Sequence, residues 1–236
     1  MQTIGVIGGI GPQATLDFEA RIYRAARARG PGEATSGFPK MVVWMLNHPP
    51  LVVDPAGQPL LPLAAHPGLL DAARALGAVA DFLTITSNGA HVFREAVEQA
   101  SGRPVVSLID STIAEIQRRG WKTVGVLGLG EPVVYLEPLA RLGIATKTID
   151  AELRNRLDPT IFRLMSGETG YELGAVAREA VASLRSQGVD GVILGCTEIP
   201  LLLAEDSVAP DLVNPMDYFI NVVLDRAIGE RVASTA

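Results

Sequence analysis

An α/β chain of two similar α/β domains, each with a central, mostly parallel sheet, is the fold class this sequence predicts. Three observations carry the prediction. Apolar runs rich in β-branched residues recur at Thr3–Ile7, Met41–Met45, Phe82–Thr86, Val105–Leu108, Thr123–Leu127 and Val192–Leu194, and helical stretches alternate with them. TIGVIGGIGP at 3–12 returns as TVGVLGLGEP at 123–132, with five of ten positions identical at an offset of 120. VADFLTITSNG at 79–89 parallels VDGVILGCTEI at 189–199, and an offset of 109 sets Ser87 opposite Cys196.

Short continuous strands separated by helices imply parallel sheet covered on both faces. The helical stretches include Ala14–Ala28, His91–Ala100, Thr112–Arg119 and Leu173–Ser186. Each half reads as strand, Gly-rich turn, helix, and a later strand ending in a small polar residue. Two such halves facing each other bring those strand ends together in a cleft, where open α/β sheets bind ligands. The Pro/Gly-rich segment at 49–67 reads as one long loop, and loops of that length are often functional.

Composition narrows the function classes. Of 236 residues, 48% are hydrophobic and 19% charged, an ordinary globular balance with room for a sizeable core. The net charge of −6 and the lack of any Lys/Arg cluster argue against nucleic acid. No apolar run approaches the roughly 18 residues that span a bilayer. MQTIGVIGG reads directly as a strand and lacks the basic start of a signal peptide. With one cysteine there is neither an internal disulfide nor a Cys-based zinc cage, so a reducing cytoplasm is the expected location.

Several motifs are weak. GIGPQA at 9–14 has the form of a dinucleotide turn, yet the second strand ends in WMLNHPP with no carboxylate for a ribose. It reads instead as a tight turn with open N–H groups for an anion or small substrate, which makes Gly9 and Ile10 candidate binding residues, together with Asn47 after the second strand. ITSNG lacks the first glycine of a nucleophile elbow, so a Ser87–His91 hydrolase pair has little behind it. His48 and His66 form no metal spacing, and no metal site is expected. Asp54 and Asp110 serve equally well as caps or as ligands.

Cys196 stands apart. It follows Gly195 at the end of a buried-type strand, and Thr197-Glu198 opens the next element. A lone thiol in apolar surroundings is usually inert core. The paired strand end and the cap-like Thr197 favour a reactive group, whose pKa a helix N-terminus would lower from roughly 8.5 toward neutrality.

IGVIGGIGPQAT, TSNGAH, GCTEIPLLL and LVNPMDYFI, in that order along essentially the whole chain, resemble the aspartate/glutamate racemase family. The resemblance implies two pseudo-twofold related domains, here 1–102 plus 210–236 and 103–209, with the active site in the cleft between them. It implies chemistry with no cofactor, neither pyridoxal phosphate nor metal, on a small carboxylic or amino acid. Homodimers are common in that family, so a homodimer is the expected assembly.

The family's mechanism sets two cysteines on opposite faces of the substrate α-carbon, one as base and one as acid. Cys196 matches the second, and Ser87 stands where the first belongs. Serine is a far weaker acid than a thiol and alternates poorly between the two roles. Asn88 matches the asparagine after the first cysteine, whose amide would stabilise enolate-like charge. Gly89, Thr197 and Glu198 complete the residues expected at the substrate.

Asp54 falls about where the family has an arginine, and Glu172 where it has a lysine. Either two cationic anchors have become acidic and disfavour an aspartate side chain, or both carboxylates are solvated surface groups. The leading expectation is a cofactor-independent racemase or epimerase with Cys196 as acid/base. A single-cysteine decarboxylase or cis-trans isomerase is the alternative, and a ligand-binding protein without turnover the third reading.

Overall fold

Backbone order follows from where the apolar runs can be buried. The structure, a computed structural model, describes residues 1–29, 38–55, 57 and 59–228. It divides into two units: Met1–Thr86, Ala90–Ser107 and Phe219–Ala236 form the first, Ser87–Gly89 and Leu108–Tyr218 the second.

In the first unit, β1 (Thr3–Gly8) is buried beyond its first residue and takes the centre of a four-stranded parallel sheet. The order is β2 (Lys40–Met45), β1, β3 (Phe82–Ile85), β4 (Val105–Val106). The edge strand β2 is exposed along much of its length. α1 (Pro12–Ala28) starts on a proline in its first turn and buries Ala14, Phe18, Ile22 and Ala26 at helical spacing. α2 (Pro67–Gly77) is capped by His66, whose ring nitrogen accepts from the Gly68 N–H, and α3 (Arg94–Ser101) follows a 3-10 turn at Gly89–Phe93.

The loop at 49–67 folds back on itself through bridges Leu51–Ala65 and Val53–Pro59. His48 and His66 stack with ring centroids 3.8 Å apart, which gives both rings a structural task.

The second unit repeats the plan. α4 (Leu108–Arg119), β5 (Thr123–Leu127), α5 (Val133–Arg141), β6 (Ala145–Lys147) and α6 (Ala151–Met165) are followed by α7 (Ala175–Ser186), β7 (Gly191–Leu194), α8 (Ile199–Leu203) and β8 (Leu212–Val213). Its parallel sheet runs β6-β5-β7-β8. Leu153, Leu157, Ile161, Val181, Leu184 and Leu194 share a core with Cys196. The last helix, α9 (Pro215–Ile228), begins in the second unit and continues in the first.

The two internal offsets reappear as strand register. Ile4 pairs with Phe82 and Val124 with Gly191; Ile7 pairs with Ile85 and Leu127 with Leu194. Offsets of 120 on the first strand and 109 on the second convert one set into the other. The Asp81 carboxylate accepts from the Thr3 N–H at 2.6 Å, and its counterpart Asp190 accepts from Thr123 at 2.9 Å. Ser87 and Cys196 therefore hold matching places, two residues past their paired strands.

Three elements differ from the sequence reading. The run Val105–Leu108 is strand only through Val106, because Leu108 already belongs to the buried face of α4 with Thr112 and Ile116. The helix expected from Leu173 opens with a 3-10 turn, Tyr171–Gly174, where a Cβ on Gly174 would meet the Leu202 carbonyl oxygen at 2.1 Å. The third is in α3, where 3-10 geometry at Gly89–Phe93 precedes the helix expected from His91.

Gly9 is held at φ 78°, and a Cβ there would lie 2.5 Å from the Leu46 carbonyl oxygen. Gly9→Ala is expected to cost about 3 kcal/mol. Urea unfolding reads this as a lower midpoint at unchanged slope.

Candidate active site

The candidate residues follow the ends of two strands, β3 and β7, in the chain. After Ile85 the backbone N–H of Thr86 still donates to the Ile7 carbonyl at 3.1 Å, and the chain then turns through Ser87, Asn88 and Gly89. After Leu194 come Gly195 and Cys196. No side chain fits at 195: a Cβ would meet the Leu127 carbonyl oxygen at 2.7 Å and the Tyr135 ring at 3.1 Å.

Cys196 is buried but keeps 9% of its surface. Its thiol donates to Glu198 Oε2 at 3.0 Å, and the Thr197 hydroxyl donates to the same oxygen at 2.9 Å. Glu198 is itself buried, and its Oε1 has no hydrogen-bond partner among the described residues. These three neighbours thus form one hydrogen-bonded group with an unused acceptor.

The thiol's acidity runs opposite to the sequence expectation. Burial pushes the Cys196 pKa well up, and the Glu198 carboxylate pushes it further. The Glu198 backbone N–H favours the thiolate but is outweighed. The helix expected to stabilise the anion, α8, is only five residues long and starts beyond Glu198. Cys196 therefore rests as a neutral thiol.

Asn88 is 2% exposed. Its Oδ1 accepts from the Tyr135 hydroxyl at 2.5 Å, while its Nδ2 has no partner among the described residues. Tyr135, on α5, is fully buried, and burial raises its phenol pKa. The Thr112 hydroxyl donates to the Leu108 carbonyl at 2.7 Å and lies 3.5 Å from the phenol oxygen. Asp158 on α6 accepts from the Gly130 N–H at 3.1 Å, and burial pushes its carboxyl up. Both Tyr135 and Asp158 lie within electrostatic reach of the Cys196 sulfur.

The other residues named from sequence are placed as follows. Ser87 is half-buried and Gly89 exposed, both in the turn that carries Asn88. Glu172 is exposed on its 3-10 turn. Gly9, Ile10, Asn47 and Asp54 belong to the first unit, with Asn47 exposed and Asp54 half-buried. The Gly9 N–H, expected open, is taken up by the Thr15 hydroxyl oxygen at 3.0 Å. Among the described residues no group of three or more His, Cys, Asp or Glu side chains is arranged to hold a metal ion. None of the described helices is long and apolar enough to cross a membrane.

Sequence reasoning missed Tyr135, Thr112 and Asp158. The repeat held a signal for the first: an offset of 120 aligns Tyr135 with Thr15. Thr15 bonds Thr86 through their hydroxyls at 2.9 Å, and offset 109 aligns Thr86 with Gly195, against which Tyr135 packs.

Comparison with known proteins places this arrangement in context. A broad-specificity amino-acid racemase of Bacillus subtilis is 27% identical over 132 residues, which is 56% of this chain and 56% of that protein. The alignment thus spans little more than half the length of this curated relative. An aspartate racemase homologue from Pyrococcus horikoshii OT3 superposes with a TM-score of 0.73 at 25% identity, covering 96% of this chain and 99% of that one. The aspartate racemase of Picrophilus torridus shares the fold at a TM-score of 0.72 and 18% identity, over 96% and 94% of the two chains. The family model for Asp/Glu/hydantoin racemases matches residues 7–222, so the strand ends bearing Asn88 and Cys196 lie inside it and the chain belongs to that family.

Proposed function

We propose that this chain is a cofactor-independent racemase or epimerase of a small α-amino or related carboxylic acid. It moves a proton at the α-carbon with Cys196 as acid/base, and Ser87 stands in place of a second thiol. The observation that carries the reading is the sole thiol of the chain hydrogen-bonded to a buried carboxylate, Glu198, at 3.0 Å.

The chemistry follows from that pair. As acid, the neutral thiol gives its proton to one face of an enolate-like intermediate. As base, it first passes its proton to Glu198 Oε2, and the thiolate then takes the α-proton. The unpaired Nδ2 of Asn88 is a donor for the negative charge that gathers on the substrate carboxylate. Ser87, or a water it positions, serves the opposite face. Gly9, Ile10, Asn47, Gly89 and Thr197 are further candidate substrate contacts. Asp54 and Glu172 are candidates for disfavouring an acidic side chain, so free aspartate is not the expected substrate. The working assembly is proposed to be a homodimer in the cytoplasm.

A second reading draws on the raised thiol pKa. A group that rests protonated is suited to delivering a proton to one face only, as a single-cysteine decarboxylase or cis-trans isomerase requires. Product analysis separates the two. Single enantiomers of amino acids, α-substituted malonates and cis-diacids are incubated with the protein, and chirality, CO2 and double-bond geometry are followed. The opposite enantiomer is expected; inversion absent throughout the panel sinks the racemase reading. Ser87→Cys is expected to raise inversion severalfold by supplying a second thiol, and an unchanged or lower rate contradicts Ser87's assigned place.

A further inference from the structure

A buried primary amide with one end satisfied and the other open is aimed by whatever holds the satisfied end. Asn88 is such an amide: Tyr135 O–H donates to Oδ1 at 2.5 Å, and Nδ2 is buried without a partner among the described residues. The reverse orientation is disfavoured. With Nδ2 against the phenol oxygen, the acceptor left to the phenol proton among the described residues is Thr112 Oγ1, at 3.5 Å. That is a poor substitute for a short O–H···O bond. The Thr112 hydroxyl cannot reverse the arrangement cheaply, because it is committed to the Leu108 carbonyl at 2.7 Å.

The unpaired N–H groups of Asn88 are destabilising in the absence of a partner, because a buried donor has given up its water without gaining an acceptor. A group held in that condition is ready for a ligand acceptor, here a carboxylate oxygen. The same tyrosine also contacts the second strand end. Its ring fills the space that a side chain at Gly195 would need, directly before Cys196. In the first unit the matching pair, Thr15 and Thr86, closes on itself with a hydroxyl–hydroxyl bond of 2.9 Å. In the second, glycine replaces the second threonine and a larger side chain replaces the first. The hydroxyl of Tyr135 then reaches past the strand end to Asn88.

We propose that Tyr135 is a positioning residue that turns the amide N–H donors of Asn88 toward the substrate carboxylate, while its ring seats the backbone that carries Cys196. This rests on the acid/base reading of the site and adds to it the residue that sets donor orientation. Tyr135 itself need not touch the substrate.

A double-mutant cycle tests it. Tyr135→Phe keeps the ring and deletes only the hydroxyl, and Asn88→Ala deletes the amide. α-Deuterium exchange in D2O is measured with the best substrate of the panel above. Tyr135→Phe is expected to lower kcat/KM by about tenfold, and Asn88→Ala by about 10²-fold. The double variant is expected to be no worse than Asn88→Ala, because both changes remove one function. A purely structural tyrosine would instead lower Tm and give losses that multiply. Tyr135→Phe within twofold of wild type, or multiplying losses, overturns the inference. Should Tyr135→Phe not fold, Asn88→Asp carries the test: it keeps an acceptor for Tyr135, replaces the NH2 by oxygen, and must lose as much as Asn88→Ala. Retained activity in Asn88→Asp overturns the inference. Wild-type silence on every substrate overturns the acid/base reading and this inference with it, whereas wild-type exchange untouched by Tyr135→Phe overturns this inference alone.

Discussion

Cys196→Ser is expected to lower α-proton exchange by roughly 10²- to 10⁴-fold, the range that a positioned acid/base supplies. Serine keeps a hydrogen-bond donor beside Glu198 Oε2 and loses little volume, so the buried core that Cys196 shares with Leu127, Leu194 and Ile199 stays filled. What serine cannot do is ionise within reach of neutral pH. The loss should therefore appear in kcat, while Tm moves by only a few degrees. Measuring both on one preparation separates chemistry from folding. A Cys196→Ser protein that exchanges at the wild-type rate would remove the thiol from the mechanism.

Glu198→Gln is expected to lower the pH midpoint of Cys196 alkylation, because it removes the negative charge beside the sulfur. The wild-type midpoint lies above the ordinary thiol value of roughly 8.5 for two reasons, burial first and the carboxylate at 3.0 Å second. Glutamine removes the second and leaves the first, so the variant's midpoint falls toward the ordinary value. The rate of iodoacetamide reaction against pH reads this directly, because the chain has one cysteine.

The sign carries over to stability. A thiol whose folded pKa is raised contributes stability that is fully present below the unfolded value and is lost as pH rises through the folded one. Wild-type stability should thus decline on the alkaline side, and the decline should be smaller in Glu198→Gln. A midpoint unmoved by the substitution would mean that the carboxylate does not govern the thiol.

The parallel sheets were legible because buried central strands read as continuous apolar runs. The repeat was legible because both halves keep one register, down to Asp81 and Asp190 gripping the N–H groups of Thr3 and Thr123. The strands β6 and β8, of three and two residues, are too short for any periodicity to mark. Leu108 was read as strand because one apolar run serves β4 and then the inward face of α4.

At the site, the position of Cys196 could be read from a local pattern, but the direction of its acidity could not. That direction depends on Glu198 folding its carboxylate back onto the sulfur, a matter of side-chain conformation rather than spacing. Tyr135 lies 47 residues from Asn88 and was hidden for a related reason: nothing local marks a tyrosine on α5 as the partner of a turn that follows β3.

The most direct test follows deuterium into a single enantiomer in D2O while Cys196 is alkylated stepwise. α-Deuterium uptake is expected to fall in proportion to the fraction of protein alkylated and to vanish when every thiol is blocked. Uptake that survives complete alkylation would contradict the acid/base role of Cys196.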